Sequence, residues 1–295
     1  MNADDISTDK KLFRHVKSIF LESTRPTIEE ISPAPEGKKQ PIFIVGMHRS
    51  GTTLVEQILS SHSQASGEDE VLTMDRIARP IIANNSNVHS GGLTEDTIRH
   101  IRDDYLSELE KFGTGEPCIT DKMPLSFRWI GFILTAMPEA RIINIQRDSV
   151  ATCWSVFKQY ISNNAVGYAY DLADIAEYYK LYIELTDFWE EIFPGQIYGL
   201  NYESLTKNPS AASRKRLEYC NLGWEAQCLE IHKTPRAVRT PSSAQVRQAI
   251  YKGSAESWRK YQTHLQPLLQ ELAGYVRRSC AADAQQHLPA RPSPR

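Results

Sequence analysis

Between Val45 and Leu54 the chain reads Gly46-Met47-His48-Arg49-Ser50-Gly51-Thr52-Thr53, two glycines bracketing a cation and followed by hydroxyls. Glycines let a backbone turn tightly enough for successive N–H groups and a helix N-terminus to converge on an anion, and adjacent hydroxyls add donors. The chemistry this predicts is phosphate binding, with Ser50, Gly51, Thr52 and Thr53 as the cradle and Arg49 as its cation. A loop for a nucleoside triphosphate places Lys directly after the second glycine, and here that position is Thr52. The charge inside the loop suits instead a 5′-phosphate that carries a second small anionic group.

Further groups could join this loop. Arg147 and Ser155 stand eight residues apart in RIINIQRDSVATCWS, with Arg147 just past an apolar run. Ligands of open α/β sheets bind outside the carboxyl ends of the strands, where such a residue would stand. Lys122 follows PCITD and precedes Met123-Pro124, and SGEDEVL gathers the carboxylates Glu68, Asp69 and Glu70. Tyr202 follows QIYGLN and heads Y-E-x-L-x-x-x-P, completed by Glu203, Leu205 and Pro209. Each has a plainer reading: Arg147 capping its own helix through Asp148, Lys122 snorkelling at the surface, the acids forming a solvated turn, Tyr202 packing at a strand end. Cys153 and Trp154 read as core residues, while His48, inside the loop, could touch the nucleotide or the acceptor.

The loop resembles the 5′-phosphosulfate loop of sulfotransferases, particularly tyrosylprotein sulfotransferases and bacterial enzymes that carry a related domain behind tetratricopeptide repeats. Their usual loop is PRSGTTL, and this chain has His48 in place of the proline. The resemblance runs from about Phe13 to Leu272. It implies an α/β, P-loop NTPase-like parallel sheet flanked by helices, and transfer of a sulfuryl group from 3′-phosphoadenosine 5′-phosphosulfate to a hydroxyl without a metal. It implies Arg147 and Ser155 on the 3′-phosphate, Tyr202 on the nucleotide, and Arg49 and Lys122, the latter in the family's K-x-P, as cations of the transition state. In the family a Glu eight residues beyond a matching His serves as general base, and counting from His62 lands on Glu70, with Glu68 the fallback. Tyr251-Lys252-Gly253 resembles the RKG loop of the cytosolic enzymes, so that Lys252 and Gly253 would close over the 3′-phosphate; Tyr251 replaces its Arg, which Arg247 or Arg239 could supply. The acceptor would be a peptide tyrosine, a carbohydrate or a small phenol. Two other classes stay open. A P-loop nucleotide kinase or triphosphatase is disfavoured by Thr52 and by Gln146-Arg147 interrupting the apolar strand before Asp148; a non-catalytic sulfotransferase-like binding module is disfavoured by the acid and cations together.

The elements must bring these residues to one edge. Apolar runs and helical periodicity predict strand and loop over 41–51, a helix over 52–61, a turn-rich acidic stretch over 62–70, and helices over 71–83 and 95–111. A strand over 117–121, a helix over 125–137, a strand over 141–146 and helices over 150–161 and 171–193 follow, then a last strand over 196–201. Strands alternating with helices imply a parallel sheet. Short helices over 203–229, a long loop over 234–254 and a closing helix over 256–277 complete the pattern. The domain is expected over 41–278, behind a helix and linker in 1–40 and before a tail of disordered composition in 279–295. No repeat of about 34 residues is visible.

With 295 residues and 41% hydrophobic content the chain can bury one full core. A formal charge of −2 gives no broad basic field, which argues against nucleic acid or an anionic membrane as a general partner. Five cysteines without CxxC spacing argue against a zinc site and a disulfide framework, and point to a reducing compartment. MNADDISTDKK lacks a signal core, and no segment approaches the roughly 20 apolar residues of a spanning helix. A cytoplasmic protein is the expectation.

Overall fold

Side chains of the buried strand β1 (Gln40–Gly46) divide by period two: Phe43 and Val45 join one apolar cluster, Ile42 and Ile44 the other. A strand buried on both faces belongs in the middle of a parallel sheet covered by helices, and that is its place. The computed structural model of the chain describes residues 6–22, 39–68, 70–85, 93–112, 115–159, 164–231 and 255–275. Its sheet adds β2 (Ala65–Glu68), β3 (Cys118–Asp121), β4 (Arg141–Gln146) and β5 (Ile197–Asn201) in the order β2-β3-β1-β4-β5. Every neighbouring pair is parallel. The α/β expectation therefore holds.

One helical layer consists of α1 (Ile6–Glu22), α3 (Thr73–Asn85), α4 (Glu95–Glu110), α5 (Ile130–Ala136), α6 (Ser149–Phe157), α7 (Leu172–Ile192) and α10 (Gln266–Glu271). The opposite layer holds α2 (Thr52–Ser60), α8 (Tyr202–Lys207) and α9 (Pro209–Tyr219). In the larger layer Trp189 of α7 donates Nε1–H to the Phe127 carbonyl at 2.9 Å. Its ring fills the space a side chain at Gly131 would need: an added Cβ would lie 2.5 Å from Trp189 and 2.6 Å from Phe20. α1 packs along α7, with Phe13, Val16, Ile19 and Phe20 in the same core.

Three expectations need correction. The acidic stretch 62–70 contains an edge strand, β2, whose sequence ASGE has none of the apolar content that marks strands in sequence. The helix expected over 125–137 starts as a 3-10 turn over Pro124–Trp129 and becomes α-helical only in α5. The closing helix is broken into a 3-10 segment, Ser257–Tyr261, and the short α10, because Pro267 at the start of α10 has no N–H to continue a preceding helix. Residues 234–254 lie outside those described. No helix among the described residues is long and apolar enough to cross a membrane.

The connections after the adjacent strands β1 and β4 leave to opposite faces, β1 into α2 and β4 into α6. The same divergence separates β1 from β3, which continues into the Pro124–Trp129 turn. A crevice opens at the carboxyl ends of strands at such points. The loop after β1, the Arg after β4 and the Lys after β3 all stand at its rim.

Candidate active site

The loop from Gly46 to Gly51 is bent by three left-handed residues: Gly46 at φ 150°, Arg49 at φ 67° and Gly51 at φ 108°. At Gly46 a Cβ would meet the Ile145 carbonyl at 2.7 Å and Ser50 Oγ at 2.9 Å; at Gly51 it would fall 2.4 Å from the Tyr202 ring. Arg49 has no glycine's freedom, so its backbone is strained by roughly 1–2 kcal/mol and must be held. Two contacts hold it: Arg147 Nη1 donates to the Arg49 carbonyl at 2.9 Å, and Arg49 Nε donates to Ser155 Oγ at 3.2 Å. Arg49, Arg147 and Ser155, far apart in sequence, are thus one constellation.

Tyr202 completes this side. Its ring lies against Gly51 and carries the Arg147 guanidinium 4.9 Å from its centroid. The plainer reading of Arg147 is half right: Asp148 does cap α6, accepting from Ala151 N–H at 2.7 Å, but Arg147 turns to the loop instead. Glu203 accepts from the Asp148 N–H at 3.1 Å, and burial raises both carboxyls above their ordinary range. Ser50, Thr52 and Thr53 are buried, and Ser50 Oγ has no hydrogen-bond partner among the described residues. Gly51 offers no side chain to cap α2. An unpartnered buried hydroxyl at an uncapped helix start, with the Arg147 guanidinium on the Tyr202 ring that lies against Gly51, fits an anion such as a phosphate ester.

Sequence reading missed Lys158. It is exposed at the end of α6, one turn beyond Ser155, with its ammonium 5.3 Å over the Trp154 ring. Its pKa is lowered by partial burial and by the charges of Arg49 and Arg147. The helical spacing from Ser155 was the available signal.

On the other side, β2 pairs with β3 in a register that sets Glu68 opposite Asp121. Chains leaving parallel neighbours side by side stay close, and Lys122 Nζ lies 3.0 Å from Glu70 Oε1. Lys122 is 0% exposed and Glu70 40%, so the ammonium is fixed in the wall while the carboxylate faces the opening. The snorkelling reading of Lys122 is thereby overturned. The Glu68 side chain, Lys252 and Gly253 lie outside the described residues. His62 is structural: its Nδ1 accepts from Gln64 N–H at 3.1 Å, so Nε2–H donates to the Gly223 carbonyl at 2.8 Å.

Between the two sides stands His48. Burial, then the charges of Arg128, Lys122 and Arg49, push its pKa down to about 4, so the ring is neutral near pH 7. Cys153 is fully buried and its thiol is pushed well above the ordinary range by that burial, as expected of a core residue. Asp121 ends β3 beside β1, where a metal-carrying carboxylate of a triphosphatase would stand. It is 3% exposed, and its Oδ2 accepts from the Tyr105 hydroxyl of α4 at 2.9 Å.

Comparisons with known proteins give a family and a fold for the chain. The profile of the Sulfotransferase family matches residues 41–226, from β1 through the smaller helical layer. An uncharacterized protein of Aquifex aeolicus is 33% identical over 281 residues, covering 91% of this chain and 37% of its own length. A putative protein-tyrosine sulfotransferase of Caenorhabditis briggsae is 24% identical over 228 residues, 75% of this chain and 81% of that protein. The chain therefore spans little more than a third of the Aquifex protein. Among solved structures, the sulfotransferase domain from the curacin biosynthetic pathway superposes with a TM-score of 0.54 at 17% identity, over 85% of this chain and 99% of that one. At that identity the likeness is one of fold.

Proposed function

The chain belongs to the sulfotransferase family, and from that premise we propose that it moves a sulfuryl group from 3′-phosphoadenosine 5′-phosphosulfate to a hydroxyl acceptor, releasing adenosine 3′,5′-bisphosphate. The observation that carries the reading is the joining of Arg49 to Ser155 and of Arg147 to the Arg49 carbonyl, with the Lys122–Glu70 pair across the same crevice. The donor would supply an activated sulfuryl group with a good leaving oxygen.

The residues divide the work as follows. Ser50, Gly51, Thr52 and Thr53 hold the 5′-phosphate; Arg147, Ser155 and Tyr202 hold the nucleotide end, with Lys252 and Gly253 assigned there by sequence resemblance. Glu70 takes the proton of the acceptor hydroxyl as its oxygen bonds to sulfur. Arg49 and Lys122 face the oxygen that keeps the electron pair when its bond to sulfur breaks. Positioning and fixed charge are the main sources of rate in such transfers. A tyrosyl hydroxyl on a peptide is our first acceptor, supported by relatives of 23–24% identity named as protein-tyrosine sulfotransferases; a carbohydrate or small phenol comes next.

Calorimetric titration with adenosine 3′,5′-bisphosphate, beside ADP with magnesium, tests the donor site. Binding of the bisphosphate without metal supports the reading; binding of only ADP with magnesium overturns it in favour of a kinase. Glu70→Gln keeps an acceptor for the Lys122 ammonium but removes the base. It is expected to lower kcat by about 10²–10⁴ with bisphosphate affinity unchanged, and undiminished turnover would remove Glu70 from the mechanism.

A further inference from the structure

His48 replaces a residue that can form no side-chain hydrogen bond, and the structure surrounds it with a network that fixes its proton. Its Nδ1 lies 3.1 Å from the Tyr168 hydroxyl. Tyr168 is 1% exposed, and Nδ1 is its hydroxyl's one hydrogen-bond partner among the described residues. The Tyr168 ring stacks on Tyr178 with centroids 3.8 Å apart and planes 9° from parallel. Tyr178 in turn accepts from Arg128 Nε at 3.0 Å, and Arg128 pairs with Asp9 of α1 at 3.7 Å. The phenol is therefore held from behind by packed core.

A buried phenol O–H that donates to nothing is costly. With Nδ1 the one acceptor in reach among the described residues, the hydroxyl donates to it, so Nδ1 is unprotonated and the ring proton of neutral His48 is on Nε2. Nε2 makes no hydrogen bond to any described residue, and the ring is half-buried at the tip of the loop. The charges of Arg128, Lys122 and Arg49 all act on this ring. Two of those three are the cations that the functional reading sets against the transferring group.

We propose that His48 Nε2–H is a neutral hydrogen-bond donor to the sulfuryl oxygens, aimed by Tyr168, which acts as a positioning residue. The inference rests on the sulfuryl-transfer reading. An imidazolium here would add a fourth charge to the cluster in the ligand-free protein. A neutral N–H instead supplies a directional donor that strengthens as negative charge gathers on the oxygens.

The test uses the full chain labelled with ¹⁵N at histidine, saturated with adenosine 3′,5′-bisphosphate and titrated with inorganic sulfate as a stand-in for the sulfuryl group. The Nε2–H tautomer is expected for His48, unprotonated down to about pH 5, with Nε2 and its proton shifting as sulfate is added. Tyr168→Phe should mix the tautomers and weaken the sulfate response severalfold while leaving bisphosphate affinity within about threefold. His48→Gln, which can place an amide N–H near the same point, should retain more turnover than His48→Phe. An Nδ1–H tautomer in the wild-type protein, or no sulfate-dependent shift at His48 when the bisphosphate is bound, overturns the assignment of His48 alone. Failure of the wild-type protein to bind the bisphosphate overturns the functional reading beneath it.

Discussion

Arg49 does three jobs at one residue. Its left-handed backbone turns the loop, its carbonyl anchors Arg147 and its side chain reaches Ser155. The contacts that offset its backbone strain are therefore the contacts that assemble the candidate donor site. Arg147→Ala removes one of them together with a cation stacked on Tyr202. It is expected to weaken bisphosphate binding by about 1.5–3 kcal/mol, the scale of a lost charged hydrogen bond, and calorimetry would read this directly. Lys158 is exposed and tethered over Trp154, so its share should be smaller and screened. Lys158→Ala should cost about 0.5–1 kcal/mol at low salt and nearly nothing at 1 M salt, where the Debye length shrinks to about 3 Å. A salt-independent loss would mean that Lys158 acts through packing on Trp154 rather than through charge.

At the level of elements, α9 poses the sharpest problem, because it carries Arg216 into the smaller layer at 0% exposure with no hydrogen-bond partner for Nε, Nη1 or Nη2 among the described residues. Burial pushes its pKa down to about 10, partly offset by Tyr198, Cys220 and Cys228. A buried unpaired charge is costly, and Met matches the length and flexibility of the stem. Arg216→Met should stabilise the fold by about 1–4 kcal/mol, seen as a higher Tm; a lower Tm would mean that the guanidinium is held by residues beyond those described. Sequence patterns showed some elements and hid others for physical reasons. β1 and β4 were readable because both faces are buried and their runs are apolar. β2 was not, since ASGE owes its strand geometry to pairing with β3, and that pairing is what sets Glu70 beside Lys122. The tightened turn at Pro124–Trp129 depends on a partner far along the chain, because the Phe127 carbonyl accepts from Trp189. In the site, loop, Arg147 and Lys122 followed from residue type at strand ends, whereas the His48–Tyr168 contact spans 120 positions and has no local signal.

For the whole molecule, the candidate site and the stability of the fold meet at the end of β3. Lys122 is held in place by a strand whose last residue, Asp121, is buried against α4 through Tyr105. Burial raises the Asp121 pKa from 3.8 to about 7, opposed in part by the Tyr105 hydrogen bond and the charge of Lys122. Between about pH 4 and 7 the folded protein therefore keeps a proton that the unfolded chain has released. The unfolded state binds fewer protons there, so this group's contribution to stability falls as pH rises through the window and levels off above it. Asp121→Asn preserves an acceptor for the Tyr105 hydroxyl and removes the titration. From pH 5 to pH 8 the stability of Asp121→Asn over the wild type should grow by on the order of 2 kcal/mol, measured as denaturant midpoints across that range. Parallel curves for the two proteins would show that Asp121 ionises in the fold without penalty. If the advantage appears while turnover at pH 8 falls, Asp121 is retained for placing Lys122 beside Glu70 rather than for holding the strand.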